Sequence, residues 1–147
     1  MGRIGTKVMP LHLSYILFVI VMLAPTFVYG ANKGEALVDK YRVAHQSRDV
    51  KALKALVHWA GGTERTQEII EQRLNLHLNL KIRKIEIRSL SGDEEFDKLG
   101  YRPNLVPVGW LTIFFEPPQE DSRLFAKSFV VGEKDGEYFI SIAEPAH

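Results

Sequence analysis

The chain has 147 residues, with 19 basic and 18 acidic side chains, five histidines and no cysteine. A formal charge of +1 gives no electrostatic reason to expect nucleic acid or an anionic surface as partner. Without cysteine there is no disulfide framework, no zinc–thiolate centre, no lipobox and no thiol nucleophile.

Residues 1–30 read as a targeting segment outside the fold. Arg3 and Lys7 form a basic n-region with no acidic residue, and Leu11 to Leu23 is an apolar h-region. Ala24-Pro25 breaks it, and Val28-Tyr29-Gly30 before Ala31 supplies the small or aliphatic −3 and −1 residues that a signal peptidase needs. The expectation is a cleaved secretory signal and an exported domain, periplasmic or secreted. The rival is an uncleaved anchor, because Leu11 to Tyr29 approaches the ~20 residues that span a bilayer. Only in that case does the chain stay at a membrane. Losing Arg3 and Lys7 turns +1 into −1 and leaves residues 31–147, enough for one domain with one core.

Gly34 to Ser47 has helical spacing, with Leu37, Tyr41, Ala44 and Arg48 at i, i+4, i+7 and i+11. Asp49 is placed to cap a second, shorter helix carrying Val50, Leu53 and Leu56-Val57. Gly61-Gly62 is a break, and Thr63 caps a third helix that carries Ile70 and Leu74 on one face and runs to about Leu78.

Four strands follow. Lys81–Leu90 turns Ile85 and Ile87 inward and Lys84, Glu86 and Arg88 outward, as an antiparallel strand with one wet face does. Ser91 to Leu105 is polar and irregular, and reads as a loose loop tethered by Phe96, Leu99 and Tyr101. Val106–Phe115 holds Trp110, Leu111, Ile113, Phe114 and Phe115, apolar on both faces, so it belongs inside a sheet rather than at its border. Arg123–Gly132 and Glu137–Ala143 form a hairpin on Asp135-Gly136, since a type I′ turn takes φ > 0 at both central positions. That register sets Lys134 opposite Glu137 and Lys127 opposite Glu144. Phe125, Phe129, Val131, Tyr138, Ile140 and Ile142 then share a heavy face under the helices. Ser128 and Ser141 lie on a lighter face that is either wet or a partner surface. The fold class is α+β, three N-terminal helices on a four-stranded antiparallel sheet.

The opening Tyr41-Arg42-x-Ala44…Ser47-Arg48-Asp49-x-x-Ala52-Leu53-x-x-Leu56-Val57 resembles the first helix pair of NTF2-like domains, the cone-shaped cystatin-like fold shared with ketosteroid isomerases and SnoaL-type cyclases. The closing Val130-Val131-Gly132-x-x-Asp135-Gly136-x-Tyr138-x-Ile140 is similar to the way such domains end. The resemblance implies a curved sheet round the first helix, with a cone that is an active site, a ligand pocket or simply filled. Enzymes of that group place a carboxylate, or a His–Asp pair, inside the cone. The inward strand positions here hold no Asp or Glu, so no catalytic residue carries over.

The remaining polar candidates are Tyr41, His45 and the His58-Trp59 pair. As a proton-transfer set, His58 would be the base and Tyr41 the hydrogen-bond donor. Equally, Tyr41 is a core tyrosine satisfied at the rim, His45 a solvated helix residue and Trp59 a packing plug. Trp110 and Phe114 share a face and either floor an apolar pocket or fill the core. His77 sits near a helix end, where it meets the carbonyl dipole, and no second histidine at i+4 makes a metal site. No motif points to a cofactor. Three readings result: a non-enzymatic module binding a small apolar molecule or another protein through the cone or the Ser128/Ser141 face, a small lyase or isomerase using His58 and Tyr41, and a homodimerisation or scaffold module pairing through the sheet face.

Overall fold

A computed structural model describes residues 33–92, 96, 100–117 and 125–145, without the side chains of 144 and 145. Residues 1–30, expected to be a targeting segment, lie outside the described residues, as do Leu99 and the turn and strand start expected over 118–124. The chain is α+β, with three helices and a five-stranded mixed sheet. None of these helices is long and apolar enough to cross a membrane.

Helix α1 spans Lys33–Gln46 and buries Leu37, Tyr41, Ala44 and His45. Arg48, expected on that stripe, lies beyond the helix and is exposed, with φ at 55°. The Asp49 amide reaches back to the Ala44 carbonyl at 2.9 Å, so Arg48 occupies the left-handed position that closes a helix and favours glycine. Asp49 then caps α2, Val50–Ala55, by accepting from the Ala52 amide. Thr63 caps α3, Glu64–Asn75, in the same way through Thr66. Helix α3 stops short of the expected Leu78, because Leu76 is already extended and His77 takes φ 70°.

The short strand β1, Val57–His58, was not expected. It runs parallel to the last hairpin strand. Strand β2 is Ile82–Ser89 and β3 is Tyr101–Pro103. Strand β4 is Pro107–Phe115, and the closing hairpin consists of β5, Phe125–Lys134, and β6, Glu137–Ser141. Ala143–Pro145 forms β7. The sheet order is β1-β6-β5-β4-β2, with β2, β4, β5 and β6 antiparallel in sequence. Strand β4 is therefore bonded on both edges, as its two apolar faces required.

Asp135 and Gly136 both take positive φ, 51° and 83°, and Lys134 faces Glu137. The same register fails further on. Pairing of β5 with β6 ends at Val131 and Ile140, and β7 leaves to pair with β3, so Lys127 does not face Glu144. The connection before β4 is correspondingly not loose at its end. Asn104 donates to the carbonyls of His58 and Ala60, both at 2.7 Å, and accepts from the Ser141 hydroxyl and the Ile142 amide. Leu105 presses on Gly132 so closely that a Cβ there would lie 2.3 Å from that of Leu105. Ser141 is thus covered at 4% exposure, while the Ser128 hydroxyl meets that of Thr112 at 3.0 Å. The lighter face is neither wet nor bare at Ser141.

The core lies between the helices and the heavy sheet face. Leu37, Tyr41, Leu53, Leu74, Leu111, Ile113, Phe115, Phe129, Val131, Ile140 and Ile142 are each at most 2% exposed. Burial of side chains of this size stabilises by about 1.5–3 kcal/mol apiece, offset by the conformational entropy of ordering them.

Candidate functional site

Among the described residues, the inner face holds one buried cation. Lys127 lies between Phe125 and Phe129 on β5 with the parity of both, and is 7% exposed. Its ammonium donates to the carbonyls of Arg73, Leu74 and Leu76 at 3.1, 3.4 and 2.8 Å. These are the unpaired carbonyls at the end of α3, where the helix dipole is negative. The rings of Phe115, Tyr41 and Phe129 stand 5.3–5.9 Å from the nitrogen. Burial pulls the Lys127 pKa down to about 8, with the Arg73 guanidinium adding to the shift.

Two histidines adjoin it. His45 is buried at 3% exposure, not solvated, and its Nε2 lies 3.2 Å from the His77 carbonyl. A carbonyl only accepts, so Nε2 carries the proton. His45 stacks on Tyr41 and tilts against Phe115, while His77 packs on Phe115 and Phe125. Burial lowers both histidines below their ordinary pKa, and Lys127 opposes their charging further. Burial also raises the Tyr41 phenol well above its usual value. Its hydroxyl and the His77 Nδ1 are buried and without a hydrogen-bond partner among the described residues. Chemically, the cluster is a helix cap in an aromatic box. All three protons of the ammonium are directed at carbonyls, and among the described residues no carboxylate enters the cluster. Among the described residues no group of three acidic or histidine side chains is arranged to hold a metal.

The proton-transfer pair is not assembled. In the parallel pairing of β1 with β6, Val57 sits beside Ile140 and enters the core. His58 therefore points to the other face, where its ring lies 6.3 Å from Phe139, while Tyr41 stays under the helices. Trp59 packs at the core margin and donates its indole N–H to the Lys54 carbonyl at 2.8 Å. Phe114 and Trp110 do share the outer face but keep different company. Lys84 lies over Phe114, whereas Trp110 stacks obliquely with Phe96 at 5.7 Å.

Trp110 lines a groove of about 700 Å³. Its origin is the edge of β5. Because β6 stops at Ser141, Phe125 to Val130 has no strand on that side, and α3 fills in. Arg73 donates to the Ser128 carbonyl at 2.7 Å and lays its guanidinium 5.1 Å from the Phe129 ring. One helical stripe, Arg65, Ile69 and Arg73 at i, i+4 and i+8, faces the groove, with Trp110, Val130 and Tyr101 opposite. Ile69 and Tyr101 remain 47% and 53% exposed, large apolar surface with no cover among the described residues. Of the single residues expected to bind a ligand Trp110 belongs here, and Ser128 and Ser141 of the proposed sheet face line the same groove. The signal for the α3 stripe was present in the sequence as Ile69 beside the inward Ile70, an apolar residue on the wrong side of the wheel. No family model matches the chain, and no curated protein matches it.

Proposed function

We propose that residues 31–147 form an exported, non-enzymatic binding module of NTF2-like shape that takes a small apolar ligand in the α3 groove, its cone being filled. Support for the shape comes from the tandem helices joined at Asp49, the antiparallel run β2-β4-β5-β6 and the Asp135-Gly136 hairpin. The parallel β1 and the β3–β7 ribbon are additions to that pattern. Support for export is the n-region, h-region and cleavage pattern of residues 1–30 in a chain without cysteine. A non-enzymatic role is favoured by the separation of His58 from Tyr41 and by a buried Lys127 that is spent on helix carbonyls.

The observation that carries the binding reading is the groove itself. It has the volume of a small-molecule site, and it keeps Ile69, Tyr101 and Trp110 at its wall. Titration of the purified protein with the uncharged fluorophore N-phenyl-1-naphthylamine tests it. The expected result is saturable one-to-one binding with enhanced emission, abolished by Ile69→Glu at an unchanged thermal midpoint. Emission that does not saturate, or that ignores Ile69→Glu, overturns the reading.

A further inference from the structure

We infer that the ligand of this groove is anionic: an amphiphile with a carboxylate or sulfonate-like head held by Arg65 and Arg73 and an apolar, ring-bearing body laid against Trp110 and Ile69. The inference rests on the binding reading above and adds the charge of the occupant. Among the described residues, the charged side chains lining the groove are these two arginines, and no aspartate or glutamate is in the lining. Neither takes part in an ion pair among the described residues, whereas seven ion pairs elsewhere occupy other surface charges.

The polar groups of the lining narrow the choice further. Its aliphatic hydroxyls are engaged within the protein: Thr63 with the Thr66 amide and hydroxyl, Ser128 with Thr112, Ser141 with Asn104. What remains for a ligand is the Tyr101 phenol, a neutral donor, and the charged guanidinium groups. Arg73 spends one nitrogen on the Ser128 carbonyl, and a guanidinium has five N–H donors, so it retains donors for a second partner. Arg65 stands in the first turn of α3, where the helix dipole adds to its positive field. An anion with an apolar body satisfies both ends of such a site. A neutral body leaves the guanidinium donors to water, and a cation is repelled.

The test compares two probes of like body and different charge. 1-Anilinonaphthalene-8-sulfonate carries the sulfonate that N-phenyl-1-naphthylamine lacks. The expected result is that the sulfonate probe binds about tenfold tighter, as a charge-assisted hydrogen bond to arginine supports. Arg65→Gln, with its thermal midpoint unchanged, should collapse that preference, Arg65→Lys should keep part of it, and added salt should reduce it. Equal affinities for the two probes, or a preference indifferent to Arg65→Gln, overturn the anionic assignment while leaving the groove as a site. Failure of the neutral probe to bind overturns the reading beneath it instead.

Discussion

Replacing Lys127 by methionine tests whether the buried ammonium is a tolerated expense of capping α3. Methionine keeps the unbranched stem and removes the charge and the three donors. The drop from 10.5 to about 8 corresponds to roughly 3 kcal/mol of penalty on the charged form, at 1.36 kcal/mol per unit. Against it stand three carbonyl contacts, of which those to Arg73 and Leu76 are short. At about 1.5–3 kcal/mol for each hydrogen bond to a charged group, the short pair offsets the penalty or exceeds it. At pH 7 the substitution should therefore destabilise by only about 1–3 kcal/mol, less than the loss of two charged hydrogen bonds alone. The decisive quantity is the pH dependence. The folded pKa lies below the unfolded one, so between about 8 and 10.5 the unfolded chain holds a proton that the folded chain has released. Stability of the wild type relative to Lys127→Met should be flat below pH 8, then rise by up to roughly 3 kcal/mol by pH 10.5. Tyrosine titration is common to both proteins and cancels in the difference. Urea unfolding followed by tryptophan fluorescence at pH 7, 8.5, 9.5 and 10.5 measures it. A difference that stays flat or falls across that window would refute the claim that desolvation governs Lys127.

On the acid side, His45 and His77 are held neutral, with folded pKa values below 6.5, so their contribution is present above pH 6.5 and lost as pH falls beneath it. Unfolding midpoints should drop from pH 7.5 to 5.5, and His45→Phe should flatten that slope; an unchanged wild-type midpoint would contradict it. Asn104→Ala removes four hydrogen bonds that join β1, β6 and the β3 segment, worth about 4 kcal/mol together at near 1 kcal/mol net each. Asn104→Asp should be no better than Asn104→Ala, because a carboxylate faces the carbonyls of His58 and Ala60; rescue of the thermal midpoint by aspartate would show that those donors do not matter. Arg48→Gly should stabilise by about 0.5–1 kcal/mol, since an exposed non-glycine residue is held at φ 55°, and a loss of stability in chemical denaturation would be the contrary result.

What was legible in the sequence was local. Asp49, Thr63 and Asp135-Gly136 carry their geometry in their own side chains and backbone preferences, and each stands where that chemistry places it. Strand β4 declared itself by its length and its two apolar faces. The residues that sequence reasoning missed are those whose partners lie far along the chain. Val57-His58 is too short to show a period, and β3 ends in a proline, so neither reads as a strand. Asn104 binds residues 37 to 46 positions away. Lys127 has inward parity, yet an opposite charge at the matching register position made Glu144 the natural partner.

That one register assumption explains both the missed cap and the missed groove. Continued past Ile140, the hairpin would have set Ser141, Ile142, Ala143 and Glu144 against Val130, Phe129, Ser128 and Lys127. Strand β5 would then have had no open edge. Instead Asn104 draws Ser141 and Ile142 aside, and Ala143–Pro145 pairs with Tyr101–Pro103. The bared edge takes its partners from α3, with Arg73 on the Ser128 carbonyl and Lys127 reaching the carbonyls at the helix end. A helix cannot follow a strand edge as closely as a strand does, and the space left between them is the groove lined by Ile69 and Trp110. The polar interior and the candidate binding site are therefore two sides of a single departure from the regular hairpin, hinged on Asn104.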